Sequence, residues 1–313
     1  MLEKPNFFLV GQPKSGTTTL HYMLAQHPEI YMSPVKEPLF FSKDIIEQID
    51  AFYKGKQFAP YRELTDYLSL FAAAKDEKIL GESTTQYLYS KVAAQEIFKF
   101  NPQARILMIL REPVSFLHSL HSQLLVEPAE TVEDFETALS LESQRRAGKN
   151  LPPFTQWPGK FLYSERVKYY DQVSRYYDVF DKSQIQVIIY DDFKQDNAGV
   201  YRGVLEFLEV NTSFIPKLVQ ANVSKRPRSI KLSLWVTHYS LTKKAIKLLS
   251  TRRFYQRIKG IVKDNILLKK EPRRPLDPAL RTKLMVKYKP EVVKISKFLG
   301  IDLVKKWGYD QIA

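Results

Sequence analysis

An apolar run, Phe7-Phe8-Leu9-Val10, passes into Gly11-Gln12-Pro13-Lys14-Ser15-Gly16 and then into the helix-forming stretch Thr17-Thr18-Thr19-Leu20. No other segment constrains the fold as strongly. A buried strand that ends in a tight polar turn and opens a helix belongs to an α/β architecture, with its helix start at the carboxyl edge of a sheet. The free N–H groups and the dipole at such a start favour an anion, and Gly16 lets the backbone approach it closely. A phosphate loop of the NTPase kind reads G-x-x-x-x-G-K-[ST], with its lysine directly after the second glycine and a hydroxyl for magnesium. Here Thr17 holds that lysine's place, and the loop's lysine, Lys14, stands before Gly16. The same residues would also serve as an ordinary strand-to-helix turn capped by Ser15 or Thr17.

Further β-rich runs at Lys78–Leu80, Arg105–Leu110 and Gln184–Tyr190, with a short one at Ile30–Met32, are separated by segments of helical periodicity. The helices are expected over 17–27, 91–100, 114–126, 131–147, 163–180, 197–208 and 279–299. Alternating strands and helices imply a mainly parallel sheet, with Ile106–Leu110 and Ile185–Ile189 as central strands buried on both or nearly both faces. The expected fold is a single-domain, P-loop-like three-layer α/β fold over 1–313, a central sheet flanked by helices. Ligands of such sheets bind beyond the carboxyl ends of the strands.

Two more strand ends carry reactive residues. Leu80-Gly81-Glu82-Ser83-Thr84 leaves Glu82 at the edge of the same crevice as Lys14 if the strands are neighbours, where a carboxylate could take a proton from an attacking hydroxyl; taken alone, it reads first as a helix-capping or surface glutamate. Leu110-Arg111-Glu112-Pro113 places a guanidinium on a strand tip and a proline suited to the first helical turn, with Ser119 two turns along. The planar fork of Arg111 suits phosphate oxygens, and the Ser119 hydroxyl adds a donor. His118 and His121 have helical spacing but no third metal ligand in view, so no metal site is expected.

These stretches resemble the motifs of sulfotransferases that use phosphoadenosine phosphosulfate (PAPS). Pro13–Thr18 is similar to their 5′-phosphosulfate loop, P-K-[ST]-G-T-[TS], and Arg111–Ser119 to their 3′-phosphate motif, with Glu112 where Asp or Asn is usual. The resemblance implies that Ser15, Gly16, Thr17 and Thr18 hold the 5′-phosphate with Thr19 nearby, that Lys14 lies beside the leaving oxygen, and that Arg111 and Ser119 hold the 3′-phosphate. It assigns Glu82 as the general base for in-line transfer, PAP as the product, and a hydroxyl-bearing acceptor of carbohydrate or glycolipid type. Ser33-Pro34-Val35-Lys36-Glu37-Pro38-Leu39-Phe40-Phe41 is similar to a K-E-P-x-F-F segment of these enzymes, where Lys36 would meet sulfuryl oxygens or acceptor, or else lie on the surface. Lys91 corresponds to a substrate-binding lysine or to solvated helix surface. Asn222–Ser229 resembles a nucleotide-enclosing stretch, making Arg226 and Arg228 candidates for the 3′-phosphate, unless it is a basic solvated loop.

Charge agrees with an anionic ligand: the net charge is +14, and 243–274 alone carries twelve basic and two acidic residues. Apolar residues from Ile246 to Leu267 are interspersed there, so 229–275 reads as a basic helical lid or as a segment facing an anionic membrane. A P-loop kinase or NTPase would need a lysine after Gly16 and a strand-end aspartate; the chain has Thr17 and Arg111. A nucleic-acid binder is suggested by charge alone, and the basic stretch offers only Phe254 and Tyr255 for stacking. No nucleic acid partner is expected. No run approaches the ~20 apolar residues of a bilayer span. With no room for a leader before the first strand and no cysteine in the chain, the expected location is cytoplasmic, with peripheral membrane contact through 243–274 as the variant.

Overall fold

A computed structural model describes residues 4–52, 59–127, 129–153, 155, 157–217, 225–230, 232, 268–271 and 275–312. Five strands, β1 Phe7–Gly11, β2 Ile30–Met32, β3 Ile79–Ser83, β4 Arg105–Leu110 and β5 Ile185–Ile189, form one sheet in the order β2-β3-β1-β4-β5. All its pairings are parallel. The central position of β1 explains its composition: with neighbours on both edges and helices over both faces, every residue from Phe7 to Gly11 is buried. In β4, Ile106 to Leu110 are likewise buried. Each such side chain contributes about 1.5–3 kcal/mol of burial energy.

Alternation along the strands sorts the two faces. Phe7 and Leu9 of β1, with Leu107 and Ile109 of β4, pack against Leu20, Met23 and Leu24 of α1 (Thr17–Leu24) and against Val204, Leu205 and Leu208 of a later helix, Asn197–Leu208. Phe8 points the other way and meets Phe41 edge to face, the ring centroids 5.6 Å apart.

The expected α/β architecture with a mainly parallel sheet is the observed one, but β5, expected to be central, is an edge strand with Gln186 and Val187 half-buried, because only β4 pairs with it. Some boundaries differ for local reasons. The stretch 131–147 divides into Phe135–Ser140, capped by Asp134 through the Thr137 N–H, and Glu142–Arg146. The stretch 163–180 is interrupted at Val167–Lys168, giving Tyr163–Arg166 and Tyr169–Tyr177. Tyr190 opens a helix, Tyr190–Gln195, whose first turn carries Asp191 and Asp192, rather than ending a strand.

Contacts group the chain into two compact units, 1–116 with 164–221 and 284–313, and 117–163 with 222–283. The first holds the five-stranded sheet. The second contains a buried bidentate pair, Arg145 to Glu130 at 2.6 and 2.9 Å, and an antiparallel pair of short strands, Lys225–Pro227 with Leu268–Lys270. Lys225–Pro227 is a strand where the sequence suggested a loop. Most of 229–275, the expected lid or membrane-facing segment, lies outside the described residues. Among the described residues no helix is long and apolar enough to cross a membrane.

Candidate functional site

At the carboxyl end of β1 the backbone turns through two left-handed residues, Lys14 at φ 65° and Gly16 at φ 84°. The second position demands glycine twice over: a Cβ there would be strained by φ and would lie 2.8 Å from the Phe193 ring. Gly16 is the N-cap of α1 and offers no side-chain cap, and the first helical turn has no acidic residue. Ser15 Oγ is fully buried and has no hydrogen-bond partner among the described residues. A buried, unanswered hydroxyl beside an uncapped helix start is an arrangement that an anion completes.

The strand end of β4 reaches this loop directly. Arg111 Nη1 donates to the Lys14 carbonyl at 2.8 Å, and its guanidinium lies over the Tyr190 ring, 4.6 Å from the centroid. Its Nε, also buried, has no partner among the described residues. Tyr169 Oη lies 2.7 Å from the Arg111 carbonyl and 3.1 Å from Gln12 Oε1, tying the strand tip to the loop a second time. Glu112 accepts from the N–H groups of Val114 and Ser115 at 2.9 and 2.8 Å, so it caps the following helix, Pro113–Val126. That capping explains how a glutamate serves where a shorter acid is usual.

Lys36 Nζ donates to Thr18 Oγ1 at 3.0 Å, which brings the Lys36 segment to the first turn of α1. Burial pushes the Lys36 ammonium down, with Glu37 pulling it back. Glu37 is half-buried and left-handed at φ 59°; its N–H donates to the carbonyl of Ser83, the last residue of β3, and its carboxylate accepts from the Thr85 N–H and hydroxyl at 2.9 and 3.0 Å. Glu37 was not among the residues expected at the site. The signal was present, since it follows Lys36 directly in the K-E-P-x-F-F segment.

Glu82 has a different setting. It pairs in register with Phe8, which puts its side chain on the sheet face opposite α1, and it is 0% exposed. Oε1 accepts from Tyr67 and Tyr87 at 2.8 and 2.9 Å, and Oε2 from Thr84 at 2.9 Å. Burial raises its pKa to about 7 against the pull of those hydroxyls, with the charge of Glu37 adding to the rise. On the α1 face, buried His21 Nδ1 lies 2.9 Å from Ser83 Oγ; burial, and then Lys36, lower the imidazole to about 3.

Lys14, Ser15, Gly16, Thr17, Thr18, Lys36 and Arg111 are thus joined by loop continuity and direct hydrogen bonds. Thr19 is half-buried in the first turn of α1. Lys91 is exposed, with its backbone N–H given to Asp44 at 2.8 Å. Ser119 is buried in the helix Pro113–Val126 and belongs to the second unit. Arg226 lies in the short strand Lys225–Pro227, and Arg228 is exposed just beyond it. His118 and His121 pack on Phe135, and His121 Nε2 lies 2.9 Å from the Val132 carbonyl.

A family model described as the sulfotransferase family matches residues 5–213. The membrane-associated sulfotransferase kil1 of Dictyostelium discoideum is 32% identical over 110 residues, 35% of this chain and 21% of that protein. Human carbohydrate sulfotransferase 15 is 29% identical over 147 residues, 37% of this chain and 26% of its own length. The matches therefore span between a fifth and about a quarter of these relatives. The crystal structure of a sulfotransferase from Alicyclobacillus acidocaldarius superposes with a TM-score of 0.69 at 25% identity, covering 96% of this chain and 97% of that one.

Proposed function

The chain belongs to the sulfotransferase family, and we propose that it moves a sulfuryl group from PAPS to a hydroxyl of a glycan or glycolipid. The observation that carries this reading is the Arg111–Lys14 hydrogen bond. It sets a strand-end guanidinium against a loop whose Ser15 hydroxyl is buried without a partner among the described residues. Two anion-seeking groups on adjacent strands suit a ligand with two phosphate positions better than a triphosphate held by lysine and magnesium.

PAPS bound there would supply an activated sulfuryl group; the acceptor hydroxyl would attack sulfur in line, giving its proton to a base as the bond to the phosphate breaks and PAP leaves. Ser15, Gly16, Thr17 and Thr18 would hold the 5′-phosphate, with Thr19 at its edge. Lys14 and Lys36 would meet the charge that develops on the leaving and transferred oxygens, and Arg111 would hold the 3′-phosphate. Each such preorganised donor is worth about 3 kcal/mol of barrier. The base must come within hydrogen-bond reach of the acceptor proton. Glu82 is closed off from solvent, and its carboxylate already accepts from three hydroxyl donors. Glu37, half-buried and next to Lys36, is the more open of the two carboxylates, so we assign the proton to Glu37. A carbohydrate acceptor is supported by the match to carbohydrate sulfotransferase 15.

Calorimetric titration with PAP, AMP and ATP tests the nucleotide half of the reading. PAP should bind at least tenfold more tightly than AMP without magnesium; equal affinities would sink it. Transfer of label from [35S]PAPS to a desulfated heparan-type oligosaccharide tests the acceptor half.

A further inference from the structure

Glu82 is buried, charged for part of the physiological range and unused by the mechanism above. Its hydroxyl partners show what it holds. Tyr87, which donates to Glu82 Oε1 at 2.9 Å, also receives the Phe41 N–H at 3.3 Å. Tyr67, donating at 2.8 Å, stacks flat on Phe40 at 4.4 Å between centroids. Thr84, donating at 2.9 Å, precedes Thr85, whose N–H and hydroxyl both bind the Glu37 carboxylate. The Glu37 N–H in turn donates to the Ser83 carbonyl. One carboxylate thus anchors the turn 83–87 and, through it, both ends of the segment 37–41.

That segment needs anchoring. Glu37 and Leu39 both sit at left-handed φ, 59° and 66°, without being glycine. Such conformations persist where the surroundings over-determine them, and they gather where a side chain must be aimed. We infer that Glu82 is a positioning residue: through Tyr87, Tyr67 and the Thr84–Thr85 turn it holds the strained 37–41 segment so that the Glu37 carboxylate faces the site. This rests on the assignment of Glu37 as base.

Two measurements test the inference with the full-length chain. In the first, hydrogen–deuterium exchange of Glu82→Gln is compared with the unaltered protein. Exchange at 37–41 should speed up at least tenfold while β1 and β4 stay protected; unchanged protection of 37–41 overturns the inference. In the second, transfer from [35S]PAPS to a desulfated heparan-type oligosaccharide is measured for Glu82→Gln, Glu37→Gln and the pair. Glu82→Gln should lower kcat at least tenfold with PAP affinity kept within threefold. On the Glu37→Gln background it should cost less than threefold more, because residues acting through one group are not additive. Losses that multiply would mark Glu82 as a fold-stability residue and end the proposal. Full activity of Glu37→Gln would instead overturn the base assignment, and with it an inactive Glu82→Gln would make Glu82 the base. If the oligosaccharide accepts no label, the acceptor reading fails while the exchange experiment still decides this inference. Should Glu82→Gln not fold, Tyr87→Phe, which removes both the Tyr87–Glu82 bond and the Phe41 link while leaving Tyr67 and Thr84 in place, carries the same comparisons.

Discussion

Arg111 Nη1 sits 2.8 Å from the carbonyl oxygen of Lys14. This bond joins the carboxyl end of β4 to the loop after β1 and holds the guanidinium against that loop. Among the described residues Arg111 gives one donor to the Lys14 carbonyl, keeps its plane on Tyr190 and has a buried Nε without a partner. A lysine could supply charge here but neither the fork nor the stack.

Arg111→Lys should therefore lower PAP affinity at least tenfold while leaving AMP affinity within threefold, because only PAP carries the second phosphate. Calorimetry with both nucleotides checks it. A parallel loss for the two would show that Arg111 acts on the loop alone.

Gly16→Ala places a Cβ at φ 84° and 2.8 Å from Phe193. Strain at such a position is of order 1–3 kcal/mol, and relief would require the loop to leave the geometry that exposes its N–H groups. Urea unfolding should show a loss in that range, and PAP affinity should fall further than stability alone explains. A variant as stable and as tight as the parent would refute the cradle.

His21 and Glu82 make opposite contributions to stability across mild acid. His21, near 3 in the fold against 6.5 ordinarily, stabilises fully above about pH 6.5 and loses that contribution as pH falls. Glu82, near 7 against 4.5, contributes fully below about pH 4.5 and loses that contribution as pH rises to about 7. Between these limits the two slopes oppose one another, each with a ceiling of about 1.4 kcal/mol per pH unit. Glu82→Gln should become more stable relative to the parent as pH rises from 4.5 to 7. Unfolding curves at four pH values in this window measure the difference, and parallel curves would show that Glu82 does not titrate there.

The strands were legible because a strand buried on both faces must be an unbroken apolar run, as Phe7–Val10 and Ile106–Leu110 are. The loop was legible because its glycine and hydroxyls occur in a fixed local order. Helix interruptions at Leu141 and at Val167–Lys168 were not, since periodicity continues through them. Nor was the helix Lys43–Phe52 anticipated, though Ile45, Ile46 and Ile49 mark its buried face. The layer that Glu82 faces was not legible for a geometric reason: a strand-end side chain takes one face or the other according to register, and register with Phe8 is set by a strand distant in sequence. Ser83, one residue on, takes the α1 face instead and meets His21.

Lys36 offers the last test, because its ammonium is partly stripped of water and already bound to Thr18 Oγ1 at 3.0 Å. A cation held in that state has little reorganisation left to do when negative charge grows beside it, and its effect belongs to the transition state more than to ground-state binding. Lys36→Met keeps the length of the stem while removing the charge. It should reduce kcat for sulfuryl transfer about 10²-fold and change PAP affinity by less than threefold, since PAP lacks the transferred group. If PAP affinity falls with kcat, Lys36 grips the nucleotide instead; if neither changes, the Lys36–Thr18 bond serves only to seat the segment on α1.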